Sequence, residues 1–353
     1  MRERYDTPVL LWFVQVLLER HGLSAEVARV VASGFMEADL LGFPTHGLIR
    51  VPANLRWLSS GETRPAGEPR VLVDRPALAN WDAERLPGHW AMHLAAQRAI
   101  RGAAEAGSFT LTLRRCQHIA CAAAALVPLV EAELIALLMV SSPEEAYVSP
   151  FGGSRRLFSN NPLAFTAPAA DGPILFDISM AITAGGQIAR AARQGRRLPE
   201  PAIVRPGGAV TDDPGALEPD GAIMPLGGLG HGHKGHALTL MTEVLSQALA
   251  GHGRARAAGT SEQNSVFLQV FDPGAFADRG DYDREVDHLL AMIEGCPPDD
   301  PRRPVRVPGR RAWRERLRQM RDGVVVDREV MTGLRPFAER AGLSTPEPVS
   351  LVE

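Results

Sequence analysis

Strand-like and helix-like segments alternate through the middle of the chain, and this alternation constrains the fold more than any other feature. VLVD, from Val71, reads as a strand. The helix LPGHWAMHLAAQRAIRGAAEAG follows, with Pro87 near its start and Gly107 at its end. SFTLTLRR alternates as a strand does, and ACAAAALVPLVEA reads as a small-residue helix. LIALLMVSS, LFDIS and SVFLQVFD are apolar enough for buried strands. Both ends of the chain read as mostly helical. Residues 8–40 predict two helices, one ending at Gly22 and one capped by Ser24, and helix returns from RAWRERLRQMRD onward. We expect an α/β layered core, with residues 1–74 plus 304–353 forming a helical part around an α/β part at 75–303.

Composition narrows the function classes. The chain has 353 residues, 45% hydrophobic and 22% charged, an ordinary globular balance with length for a large core. A formal net charge of -3 gives no global electrostatic case for nucleic acid or an anionic membrane as partner. The early apolar run PVLLWFVQVLL is too short to span a bilayer, and no small-residue cleavage site follows it. It reads as an amphipathic helix rather than a signal peptide. Cys116, Cys121 and Cys296 show no CxxC spacing, which favours a reducing, cytoplasmic setting. Of 38 basic residues a single one, Lys234, is lysine. Where arginine is the default cation, a lone lysine points to a site needing a compact point charge, or to chance survival.

Four constellations carry candidate chemistry. In Pro44-Thr45-His46-Gly47-Leu48-Ile49-Arg50, Thr45 is a candidate helix N-cap, which would place His46 and Arg50 on one helical face. Pro52 should kink that helix. Imidazole can exchange a proton near neutral pH, and guanidinium grips a carboxylate with two donors. The pair suits a substrate carrying a carboxylate beside a reducible C=O or C=N. A capped surface helix with an incidental His and Arg fits the spacing equally. Arg115-Cys116-Gln117-His118 lies after a strand and before a helix. That helix start could face an anion, and His118 could be an acid/base or could simply close a turn. In MPLGGLGHGHKG, residues 230–235 spell GxGxxG, read as a glycine-rich loop opening a helix. Pro225 spoils the preceding strand, so this is a poor dinucleotide fingerprint. Glycines beside Lys234 still suit close approach to phosphate. His231, His233 and His236 invite a metal reading, but no Cys or acidic residue lies nearby to complete a zinc set. Nine arginines from Arg302 to Arg321 read mostly as a solvated helix face.

In this order the motifs resemble the malate/L-lactate dehydrogenase family. That family also holds ureidoglycolate and sulfolactate dehydrogenases, diketogulonate reductase and piperideine/pyrroline-2-carboxylate reductases. Its Ser-His-Gly-x-x-Arg is similar to Thr45 through Arg50, and its Asn-Ser-x-His to Arg115 through His118. Its Gly-Thr-Asn-Pro segment is similar to Ser159 through Pro162, and its Asp-x-Ala-Thr-Ser to Asp177 through Ala181. Its Pro-Leu-Gly…His-Lys-Gly and Val-Pro-Gly-Glu are similar to Pro225 through Gly235 and Val307 through Arg310. The resemblance implies a non-Rossmann, sulfolactate-dehydrogenase-like fold: a mixed-sheet cofactor domain with a helical substrate and dimerisation domain drawn from both termini. It also implies a homodimer. The implied activity is reversible hydride transfer between NAD or NADP and C2 of a small 2-oxo acid or cyclic 2-imino-carboxylate. His46 would be the proton donor, Thr45 its orienting hydroxyl and Arg50 the carboxylate clamp, with His118 as rival donor. Asn160, Gly185 and Gly186 would lie near the substrate. His118, Ile119, Ala120, Cys121, Ala122, Asp177, Ile178, Ser179, His233, Lys234, Pro308, Gly309 and Arg310 would touch the dinucleotide. Thr45 replaces Ser, and Asn160 replaces Thr. Gln187 stands for a frequent Lys, Ala120 for Gly, and His236-Ala237 for Tyr-Gly. Those departures motivate the rival reading, a non-catalytic homologue serving as a binding or scaffold protein.

Overall fold

In the computed structural model, residues 2–256 and 262–352 are described. The main sheet has seven strands in the order β2-β3-β4-β11-β5-β6-β7. They are β2 (Arg70–Arg75), β3 (Leu78–Asp82), β4 (Ser108–Gln117), β5 (Ile135–Ser141), β6 (Leu163–Ala167), β7 (Ile174–Ile178) and β11 (Gln263–Phe271). β3 and β4 run parallel and the other neighbours antiparallel, so the sheet is mixed and not a doubly wound nucleotide fold. Near the sheet centre, β11 has five consecutive buried residues, Asn264 to Leu268, because both its edges are paired and both its faces covered. Leu268 is fully buried, so Leu268→Ala would cost about 2–5 kcal/mol by transfer and cavity terms. The N-terminal strand β1 (Arg2–Tyr5) pairs with both β12 (Val324–Asp327) and β13 (Ser350–Val352) in a second sheet. A third has only the two-residue strands β8 (Ile203–Val204), β9 (Val210–Thr211) and β10 (Ala222–Ile223).

The first two helices form where the sequence supplies a cap and a stripe. α1 (Thr7–Arg20) starts as Asp6 accepts the Val9 N–H at 2.9 Å, and it buries Leu10, Phe13, Val14, Leu17 and Leu18 at 3.6-residue spacing. Ser24 caps α2 (Ala25–Leu40) as expected. α3 (Val51–Ser59) follows, then α4 (Gly88–Ala106), which ends where Gly107 takes φ 77°, a conformation that disfavours other residues. α5 (Ala122–Glu131) packs on β5 and β6, α4 packs on β4 and β11, and α2 lies across both helices. The remaining helices are α6 (Gly185–Arg193), α7 (Gly228–Glu243), α8 (Pro273–Phe276), α9 (Arg279–Glu294), α10 (Arg310–Asp322) and α11 (Arg328–Arg340). Among the described residues no helix is long and apolar enough to cross a membrane.

Three local expectations change. Thr45 is not a helix cap: residues 44–47 form a turn, 48–50 a single 3-10 turn, and Pro52 sits in the first turn of α3 without kinking it. A proline there is tolerated because its missing N–H would have had no partner. The glycine-rich stretch is not a loop, because α7 begins at Gly228 and takes GxGxxG inside it. Its glycines serve packing: a Cβ at Gly235 would overlap the Leu226 backbone, and one at Gly232 would press on Phe151. Finally, the helix after His118 begins only at Ala122, leaving His118 to Cys121 as a loop. The arginine run is largely a solvated face of α10, but Arg310 and Arg316 are buried. Arg316 pairs with Glu37 and Glu131, pinning α10 to α2 and α5.

Candidate active site

The site starts from a carboxylate near the end of α2. Asp39 is 3% exposed, and its Oδ2 accepts the Leu48 N–H at 2.7 Å. The approach is so close that a Cβ on Gly47 would overlap the Asp39 carboxyl group. Burial pushes the Asp39 pKa up to about 7, with the Leu48 hydrogen bond opposing. This bond fixes the turn carrying Thr45, His46 and Arg50. Thr45 Oγ1 lies 2.8 Å from His46 Nδ1, leaving Nε2 as the ring's free nitrogen. The His46 residue is open to solvent, yet protein packed around its ring lowers its pKa, and the Arg50 charge lowers it further.

The facing wall comes from the end of β4. His118 stacks opposite His46, with ring centroids 6.3 Å apart and planes at 17°. Its Nδ1 accepts the Ala120 N–H at 3.2 Å, which places the proton of the neutral ring on Nε2. Burial, then the charges of Arg50 and His46, hold its pKa well below the ordinary histidine value. The loop is anchored where Asn264 Oδ1 accepts the Ile119 N–H at 2.9 Å, while Asn264 Nδ2 donates to Ser142 Oγ at 2.8 Å. Ala120 has φ 62°, a left-handed conformation in which its Cβ is strained. Behind the loop, a Cβ on Gly88 would overlap the carbonyls of Gln117 and His118. Arg115 plays no part in this wall: it pairs with the fully buried Asp82, as Arg114 does.

Arg50 forms an ion pair with Glu262, and its Nε is buried without a partner. Glu145 lies within electrostatic range of both. Burial raises its pKa first, Glu262 raises it further, and Arg50 lowers it. A cavity of about 620 Å³ opens beside this turn, lined by Thr45, Ile49, Gly186, Gln187 and Arg190 among others. So α6, with Gly185 and Gly186 at its start, faces the same turn as His46.

Other expected residues gather around β7. Asp177 Oδ2 accepts the Ala123 N–H at 3.1 Å and lies 3.8 Å from Cys121 Sγ, so it caps α5 from a neighbouring strand. Ile178 is half exposed, and Ser179 Oγ donates to the Asn160 carbonyl at 3.2 Å. Asn160 Oδ1 is buried without a partner. Pro308 accepts the Leu175 N–H at 3.1 Å, and a Cβ on Gly309 (φ 94°) would overlap that strand's backbone. Arg310 pairs with Glu294 at 2.6 Å. His233 and Lys234 are exposed on α7, with Lys234 lacking a hydrogen bond or ion pair among the described residues. α7 is tied to this region through Leu226, whose N–H donates to Met180, but no contact joins Lys234 to His46 or His118. Sequence reasoning missed Asp39, Gly88, Asn264, Glu145 and Glu262. Asp39 left a trace, as an acidic residue within the apolar stripe of α2; the others left none.

The family and relatives that share this mixed-sheet α/β fold make the protein an oxidoreductase acting on small carboxylates. The chain belongs to the malate/L-lactate dehydrogenase family, whose model matches residues 6–335. It is 33% identical over 340 residues to the Δ1-pyrroline-2-carboxylate/Δ1-piperideine-2-carboxylate reductase of Pseudomonas putida, covering 91% of this chain and 93% of that protein. It is 27% identical to the L-sulfolactate dehydrogenase of Methanocaldococcus jannaschii, covering 93% and 94%. The crystal structure of the Δ1-piperideine-2-carboxylate reductase of Pseudomonas syringae pathovar tomato superposes with a TM-score of 0.84 at 32% identity, covering 95% of this chain and 100% of that one.

Proposed function

We propose that the chain is an NADH- or NADPH-dependent reductase of a cyclic 2-imino-carboxylate or small 2-oxo acid. The observation that carries this reading is the convergence of Thr45, His46 and His118 beside Arg50, on a fold shared with such reductases. A reduced nicotinamide, when bound, supplies the hydride for C2. Everything else falls to the chain. Thr45 Oγ1 engages Nδ1 of His46, which leaves Nε2 as the atom that would deliver a proton to the substrate's nitrogen or oxygen. Burial and Arg50 disfavour the charged form of both histidines, so an imidazolium at His46 is a strong acid that gives its proton to the substrate and returns to the neutral ring. Arg50 holds the substrate carboxylate, so C2 is presented in one orientation. The exposed, unpartnered Lys234 is a residue of the right kind for a dinucleotide, a free cation for a phosphate or ribose.

The test is titration of the purified protein with NADH and NADPH, then turnover on cyclic imines and 2-oxo acids. Binding of neither cofactor overturns the reading. In an active protein, His46→Ala should lower kcat by about 100-fold or more. Full turnover in that variant would move the donor role to His118, tested by His118→Ala.

A further inference from the structure

The charge around Arg50 does not balance. The guanidinium pairs with Glu262, and Glu145 lies within electrostatic range of the pair. Arg254 is spent on Glu243 at 2.8 Å and meets Glu145 at that residue's backbone carbonyl, at 2.9 Å, rather than at its carboxyl group. Tyr147, 3.5 Å from Glu145, is held neutral, its pKa pushed up to about 12 by burial and then by Glu145 and Glu262. His46 and His118 are biased toward their neutral forms. Among the described residues, two carboxyl groups therefore face one guanidinium. A substrate carboxylate arriving at Arg50 competes with Glu262 and adds negative charge beside Glu145, whose ionised form burial already disfavours; this is costly in a partly desolvated site unless the substrate brings a cation.

We propose that Glu262, backed by Glu145, selects substrates whose reacting group is a cation, favouring iminium carboxylates over neutral 2-oxo acids. This rests on the reductase reading above. A cyclic 2-imine is basic enough to carry a proton at its nitrogen, whereas a ketone oxygen is not. As C2 of the iminium gains the hydride, the C=N π pair becomes the nitrogen lone pair, the substrate is reduced and the nicotinamide oxidised. The cation is spent in that step, and the amine takes up a proton from solvent, directly or relayed through the His46 ring. Glu262 is thus a specificity-determining residue acting both on the bound charge and through Arg50. Discrimination of this kind comes as much from disfavouring the wrong charge as from favouring the right one.

Two measurements test it. The first compares kcat/KM for Δ1-piperideine-2-carboxylate and pyruvate in wild type, Glu262→Gln and Glu145→Gln. Glu262→Gln should cut the imine-to-oxo-acid ratio by about tenfold, through a higher KM for the imine and a lower one for pyruvate. Glu145→Gln should move it less, in the same direction. The second needs no turnover: calorimetric binding of L-proline against tetrahydrofuran-2-carboxylate, which has the same ring and carboxylate without the cation. Wild type should prefer proline, and Glu262→Gln should erase the preference. If wild type turns over neither substrate, the selectivity role falls, and the reductase reading falls with it where NADH and NADPH also fail to bind. If it turns over both and Glu262→Gln changes both equally, or leaves the proline preference intact, the selectivity role alone falls. A Glu262→Gln chain that does not fold leaves the same two outcomes to be decided by Glu145→Gln.

Discussion

At the scale of single residues, Asp39 carries the most weight for its size. Its carboxyl group does two things: it closes the His46 turn through Leu48, and it occupies a site where charge is expensive. Asp39→Asn keeps an acceptor for that N–H and removes the ionisation. Asp39→Ala leaves the Leu48 N–H unsatisfied, costing about 1–3 kcal/mol, and frees the turn. Turnover should therefore survive in the Asn variant and fall in the Ala variant, as steady-state kinetics and urea midpoints on both would show. Equal activity in the two would mean that the bond does not hold the catalytic turn. Lys234 gives a different residue-scale prediction. Exposed and unpartnered on α7, it is free to meet a phosphate or ribose as a point charge. Lys234→Ala should weaken dinucleotide binding more than Lys234→Arg does. Unchanged affinity in both would make it a stray lysine.

At the scale of elements, the legible parts were those whose reasons are local. The caps of α1 and α2, the Gly107 stop of α4 and the apolar runs of β5 and β11 each rest on residues a few positions apart. The misread parts depend on distant partners. α7 looks like a loop because glycine disfavours helix, yet Leu226 and Phe151 leave no room for larger side chains there. Thr45 looks like a cap, but Asp39, nine residues before Leu48, takes that N–H and turns the chain earlier. Within the site, Thr45, His46, Arg50 and His118 could be named from sequence because their chemistry is distinctive. Asn264 and Glu262 could not, because what they do depends on packing across more than a hundred residues. The His118–Cys121 loop makes its own prediction. Ala120 sits at φ 62°, where an L side chain is strained, so Ala120→Gly should stabilise the protein by about 1 kcal/mol. An unchanged urea midpoint would mean that the extra freedom of glycine in the unfolded chain cancels the relief.

At the scale of the whole molecule, both termini meet on one small sheet, and the site lies between groups that titrate in opposite senses. His89 sits in the helical layer behind the His118 loop, both ring nitrogens buried without partners, and burial lowers its pKa from 6.5 to about 4. In acid the unfolded chain takes up that proton first, near 6.5, and the folded chain only near 4. Stability from His89 is therefore lost as pH falls through that window, about 2 kcal/mol of it by about pH 5. Asp39 works the other way. Its folded pKa of about 7 lies above the ordinary carboxyl value of 3.8, so its contribution is present at low pH and lost as pH rises toward 7. The two partly cancel, which flattens the stability profile of the intact chain between about pH 4 and 7. Each should become visible when the other is removed. His89→Phe keeps a ring against Phe35 and deletes the titration, so its stability should fall as pH rises from about 5 to 7. Asp39→Asn should show the reverse slope over the same range. Urea midpoints at three pH values for wild type and the two variants decide it. Parallel profiles in all three proteins would mean that neither group's ionisation is coupled to folding.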